Sequence, residues 1–125
     1  MKITIAGVEY PVEYTVLAEE YIDKKYGGVE KMGSAIDELP GHQKVVEFSA
    51  LLSMLIDCGI SRQRKVAELL HKDYDGPEPL DADAIQVLMH PGEIVGTVYA
   101  AMKEGNASTI KLEAPKGKNA GAATP

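Results

Sequence analysis

Between Gly41 and Gly59 the chain reads GHQKVVEFSALLSMLIDCG, and any compact fold has to be arranged around so apolar a stretch. Gln43, Glu47, Ala50, Ser53 and Asp57 recur every three or four residues and leave the rest of the circumference hydrophobic. That spacing predicts a helix, and one with so narrow a polar stripe belongs inside a bundle. Pro40-Gly41 punctuates its start, and Gly59 is placed to end it in a left-handed cap.

The flanking segments supply what such a helix packs against. Lys2–Ala6 and Val8–Glu13 alternate polar and apolar residues around Gly7, which predicts a β-hairpin over 2–13 with Pro11 at a strand edge or end. Its Ile3, Ile5, Val8 and Tyr10 are expected to rest on helices, since a lone two-stranded hairpin is marginal in water. Thr15 is an N-cap candidate for a helix to about Tyr26, apolar along Tyr14, Leu17, Ala18, Tyr21, Ile22 and Tyr26 and stopped by Gly27-Gly28. Val29, Met32, Ile36 and Leu39 mark a shorter helix that ends before Pro40.

Beyond the central stretch, Ser61 is a cap candidate for a helix to about His71, with Val66, Leu69 and Leu70 inward and Arg62, Arg64 and Lys65 outward. Lys72–Leu80 is rich in turn residues and reads as a loop. Asp81 is expected to cap Ala82–His90, with Ile85, Leu88 and Met89 inward. Pro91 suits the first turn of a last helix, Gly92–Glu104, which shows Ile94, Val95, Val98, Tyr99 and Met102 at helical spacing and is stopped by Gly105-Asn106. Ile110 and Leu112 fit a brief strand or docking segment, and 113–125 lacks apolar periodicity and is expected to be a flexible tail. The fold class is therefore mainly α within α+β. A single domain over 1–112 holds an N-terminal hairpin on a helical body, 15–105, of five or six helices.

Bulk properties narrow the function. With 125 residues and 45% hydrophobic composition the chain can bury a core without staples. One cysteine permits no intrachain disulfide, which favours a reducing cytoplasm. No signal-peptide h-region and no membrane-length apolar run are present. A net charge of −6 argues against nonspecific nucleic-acid or anionic-membrane binding.

No residue set supports catalysis, a cofactor or a metal. Cys58 lies at the buried end of the central helix with no histidine nearby in sequence, the setting of a small hydrophobe. His42, His71 and His90 are isolated from one another. Asp73, Asp75 and Glu78 lack the glycine and terminal glutamate of an EF-hand loop and read as solvated turn residues. One alternative has a physical basis. A helix, Cys58-Gly59-Ile60 and then SRQRKVAELL resembles a helix-turn-helix regulator using residues 60–70, with Arg62, Gln63, Arg64 and Lys65 opening a recognition helix. The acidic balance and the lack of a second basic patch weigh against it.

The opening MKITIAGVEYPVEYTVLAEEYIDKKYGG resembles the tail assembly chaperones of tailed bacteriophages and prophages, in the pattern Lys2, Ile3, Ile5, Gly7, Tyr10 and then Tyr26-Gly27. PLDADAIQVLMHPGEIVGTVYAAMKEG is similar to that family's last two helices, so the likeness spans most of 1–105. The resemblance implies a non-enzymatic factor in the host cytoplasm that binds the apolar tape measure protein and helps recruit tail tube protein. Such a factor is absent from the mature virion, and a monomer or weak homo-oligomer fits it. Five methionines and a hairpin edge suit varied apolar partners, although Met32, Met54, Met89 and Met102 sit at core spacing. The family is often made in a second, frameshifted form, and Lys116-Gly117-Lys118 is compatible with a slippery codon run.

Overall fold

The computed structural model of the chain describes residues 1–113, with side chains to 105. An antiparallel hairpin, β1 (Lys2–Ile5) and β2 (Val8–Pro11), precedes five helices: α1 (Val16–Tyr26), α2 (Val29–Asp37), α3 (Gly41–Leu69), α4 (Ala82–Leu88) and α5 (Pro91–Glu113). The expected mainly helical fold with an N-terminal hairpin is the one observed.

Local chemistry accounts for most of the boundaries. Ile5 pairs with Val8 across a two-residue turn in which Ala6 and Gly7 both have positive φ, as a hairpin turn matched to strand twist requires. Pro11 ends β2 opposite Lys2, where its missing N–H costs no ladder bond. Gly27 closes α1 in the left-handed conformation, its N–H on the Asp23 carbonyl at 2.9 Å. The Asp81 carboxylate accepts from the Ala84 N–H at 2.8 Å and starts α4. Pro91 opens α5, and Glu93 reaches back to the His90 N–H at 2.9 Å.

The central helix departs from the expected pattern. Instead of stopping at Gly59 and restarting at Ser61, α3 runs unbroken for 29 residues. Gly59 is buried in mid-helix because β2 lies on it. A Cβ at 59 would stand 2.7 Å from the Pro11 carbonyl oxygen. The first residue past β2 is tied to the same place, the Glu13 N–H donating to the Leu55 carbonyl at 3.2 Å. Gly105 is a similar case. The expected stop there is absent, α5 continues to Glu113, and a Cβ at 105 would lie 2.7 Å from that of Tyr14. Ile110 and Leu112 therefore lie in α5 rather than in a strand, and Glu113 is its last residue. Residues 114–125, with the expected flexible tail and Lys116-Gly117-Lys118, lie outside the described residues.

α3 is the hub. Leu51, Leu52, Leu55, Ile56 and Phe48 form the middle of a core completed by Val12, Ile22, Ile36, Ile85, Ile94 and Val98 from every other part of the chain. β2, α1, α2, α4 and α5 each pack against α3. Tyr99, more than half exposed, still sets its ring 5.5 Å from that of Phe48.

The helix ends at a left-handed His71. The Lys72 N–H bonds the Ala67 carbonyl at 2.9 Å and the His71 N–H that of Glu68 at 3.1 Å, a Schellman closure around a residue with a Cβ. Glycine carries no steric cost there, so His71→Gly is expected to raise stability by about 0.5–1 kcal/mol. A lower urea midpoint would contradict this.

Candidate partner-binding surface

Several residues expected to face inward do not. Leu17 is 56% exposed and its neighbour Val16 79%, although both open an amphipathic helix. At the end of α3, Val66, Leu69 and the capping Leu70 are exposed as well, Leu69 to 70%. Val8 and Leu88 are likewise on the surface. In the last third of α3 only Gln63 and Ala67 are half-buried. The loop after it folds back on one side, with Arg64 5.0 Å above the Tyr74 ring and 3.3 Å from the Glu78 carboxylate. The loop is pinned at its far end by the Ser53 hydroxyl, which donates to the Leu80 carbonyl at 2.7 Å.

Val16 and Leu17 line a groove between α1 and α3. One reach, about 340 Å³, is walled by Leu17, Glu20, Tyr21 and Lys24 of α1 and by Met54, Asp57, Cys58 and Ser61 of α3. The next, about 410 Å³, shares Leu17, Cys58 and Ser61 and continues to Val16, Arg62 and Lys65. Positions 17, 20, 21 and 24, like 54, 57, 58, 61, 62 and 65, follow helical spacing, so each wall is one face of a helix. The floor is apolar and the two ends differ in charge.

At one end the Asp57 carboxyl has no cation partner among the described residues, and partial burial pushes it above its ordinary value. Across from it Lys24 pairs with Glu20 at 3.5 Å. At the other end Arg62 has no acidic partner among the described residues, while Lys65 bridges Glu68 at 2.6 Å. The uncapped N-terminus of α1 adds its positive dipole end to this side. The Thr15 hydroxyl caps nothing. It is buried without a partner of regular hydrogen-bond geometry, and the Cys58 thiol is the polar group beside it. Burial first of all, then the Asp57 charge, hold that thiol above its usual value, which disfavours the thiolate a nucleophile needs.

An acid with a raised folded-state value destabilises the fold when ionised, and stability is regained as pH falls through that value. Asp57→Asn is therefore expected to stabilise the free protein at neutral pH, by roughly 0.2–1 kcal/mol given the solvent screening of so exposed a group. The gain should vanish in acid. A loss at neutral pH would show instead that Asp57 has a favourable partner.

Next to the groove, sharing Tyr21 with its wall, α1 is fastened to α3 by a polar cluster. Lys25 Nζ lies 2.7 Å from Glu47 Oε2, the Tyr26 hydroxyl donates to the same oxygen, and Lys25 Nζ donates to the Tyr21 hydroxyl at 3.3 Å. The ammonium also stands 5.4 Å from the centre of the Tyr26 ring. Burial alone would raise the Glu47 carboxyl, but the hydrogen bonds from Lys25 and Tyr26 hold it below its ordinary value. Burial, then the bond to Glu47, pushes the Tyr26 phenol up. For an acid held low, stability is complete above the unfolded value of about 4.3 and is lost as pH falls through the folded one. Wild-type protein should therefore be more stable than Glu47→Gln at pH 7, and the gap should close on titration toward pH 3. A gap independent of pH would mean the carboxylate charge is irrelevant.

Other sequence candidates are not drawn together. His42, His71 and His90 are all exposed on separate elements, and Glu78 is paired with Arg64 while Asp73 and Asp75 point to solvent. Among the described residues no three of His, Cys, Asp and Glu are grouped as metal ligands, and no helix is long and apolar enough to cross a membrane. Cys58-Gly59-Ile60, read as the turn of a helix-turn-helix, lies inside α3, so Arg62, Gln63, Arg64 and Lys65 do not open a separate helix. A hollow of about 570 Å³, larger than either reach of the groove, lies between the hairpin and the loop, lined by Lys2, Glu9, Pro11, Gln63 and Asp75 among others. Lys2 and Glu9 face each other across its rim at 3.8 Å. Comparison with protein-family models, curated proteins and solved structures finds no match to this chain.

Proposed function

We propose that this protein is a non-enzymatic tail assembly chaperone of a tailed phage or prophage. In this reading it binds the tape measure protein in the host cytoplasm, keeps it from aggregating and helps recruit tail tube subunits. Two supports carry different parts of the reading. That the chain acts by binding another protein is supported by the groove along α1 and α3 and the exposed Val16 and Leu17 that line it. That the partner is a tape measure protein is supported by the likeness of the hairpin and first helix, with Lys2, Gly7, Tyr10, Tyr26 and Gly27, to that chaperone family.

The hairpin residues in that pattern are also structural in this fold. Gly7 has the positive φ of the turn, and Tyr10 is half-buried against the core beside Ile3. The test is coexpression with a tape measure protein encoded beside it. Copurification and a larger soluble fraction of the tape measure protein are expected. A tape measure protein that stays insoluble and unbound would overturn the reading.

A further inference from the structure

The α1–α3 groove has the form of a seat for a third helix. Its walls are two helix faces side by side, and from Met54 to Lys65 the α3 wall is about 16 Å long at 1.5 Å per residue, room for about three turns of a partner. An amphipathic helix laid there would meet ridges spaced i, i+3, i+4 and i+7 on both sides, the arrangement of helices packed in a bundle. An added β-strand would find nothing to pair with, because helical backbone offers no free ladder of N–H and C=O groups.

Charge gives the seat a direction. At the Arg62 end stand an arginine without an acidic partner among the described residues and the N-terminus of α1, with Lys65 beside them bridged to Glu68. At the other end Asp57 faces the groove without a cation, and Lys24 on the opposite wall is taken up by Glu20. In a chain of net charge −6 a basic end to an apolar groove is a local reversal, and it selects against a partner helix that is basic throughout.

We propose that this groove seats an amphipathic helix of the partner chain, its apolar edge on Leu17, Met54 and Cys58, an acidic residue against Arg62 and Lys65, and a basic residue against Asp57. The proposal deepens the chaperone reading and rests on it for the identity of the partner. Leu17 is the natural anchor, since it is the large apolar side chain common to both reaches of the groove.

The test uses the full chain and three synthetic helical peptides of about 18 residues, about five turns. All carry leucine at i, i+3, i+4 and i+7. One has glutamate at one end and lysine at the other, one lysine at both ends, and one glutamate at both. The mixed peptide is expected to bind most tightly, with amide shifts mapping to 17–24 and 54–65. Leu17→Asp should weaken it at least tenfold with the circular dichroism melt unchanged, and Arg62→Glu with Lys65→Glu should shift preference to the lysine-ended peptide. No saturable binding, equal affinity for all three peptides, or shifts confined to the hairpin and the 75–77 loop would overturn the proposal. Coexpression with the tape measure protein separates the two readings. If wild type and Leu17→Asp both retain it, the groove is wrong and the chaperone role stands. If neither retains it but the mixed peptide binds the groove, the seat stands and the named partner falls.

Discussion

Gly59→Ala should lower the stability of this protein by about 3 kcal/mol, the upper end of what overpacking costs in a well-packed interior. The added methyl carbon would stand 2.7 Å from the Pro11 oxygen and 2.8 Å from both the Pro11 carbonyl carbon and its Cβ. None of those atoms is the free end of a flexible side chain. The proline ring is rigid and follows the ladder of β2, and the Glu13 N–H anchors the next residues to the Leu55 carbonyl on the same stretch of α3. Relief therefore requires lifting the hairpin off the helix, which exposes Ile5 and Val12. The urea midpoint should fall, and amide exchange in 2–12 should quicken more than exchange in α5.

Gly33→Ala is the internal control. It sits within α2 with nothing inside 4 Å of its Cβ direction, so the same methyl should stabilise by about 0.5–1 kcal/mol through helix propensity alone. Opposite signs for one chemical change at two helical glycines are the expected signature. A gain at 59 would mean that the hairpin does not rest there.

Leu52→Ala is expected to cost about 3 kcal/mol, within the range measured for emptied leucine sites, and to lower Tm by more than 10 °C. Leu52 is 0% exposed at the centre of α3. Because the hairpin, α1, α2, α4 and α5 each meet α3, a hole at its midpoint has walls from several elements that are tied mainly to the hub, and no single neighbour can collapse into it without loosening from the others. Unfolding should remain one cooperative transition, with the same midpoint by far-UV circular dichroism and by tyrosine fluorescence. Leu69→Ala, on the same helix but largely in solvent, should change stability by no more than about 0.5 kcal/mol. Comparable losses at the two leucines would show that the far end of α3 is covered after all.

These contrasts explain how far the amino-acid sequence could be read. The hairpin, the Gly27 stop, the Asp81 cap, the Lys72–Leu80 loop and Pro91 at the head of α5 are written in a few adjacent residues, and all were legible. Gly59 and Gly105 were not. Glycine in a helical pattern has two uses, to end the helix or to let another backbone come close, and the second depends on Pro11 and Tyr14, far away in the chain. Leu17, Val66, Leu69 and Leu70 failed differently. Periodicity tells which face of a helix is apolar but not whether anything lies on it. The groove was invisible for the same reason, since its walls come from segments about thirty residues apart that share no local signal. Asp57, seen in sequence only as part of a polar stripe, acquires a role once Leu17 and Lys24 stand opposite.

The unbroken α3 also has a kinetic corollary. Its first two turns past Val45 are sealed on several sides, whereas beyond Ser61 the same rod runs out into solvent with a loop along one flank. Fraying from the His71 end sacrifices little buried area, so backbone amides near 64–70 should swap deuterium orders of magnitude faster than those near 52–56, although no joint separates them. Whatever settles against the outer portion would slow that exchange, and the helix would thereby serve as its own gauge of occupancy.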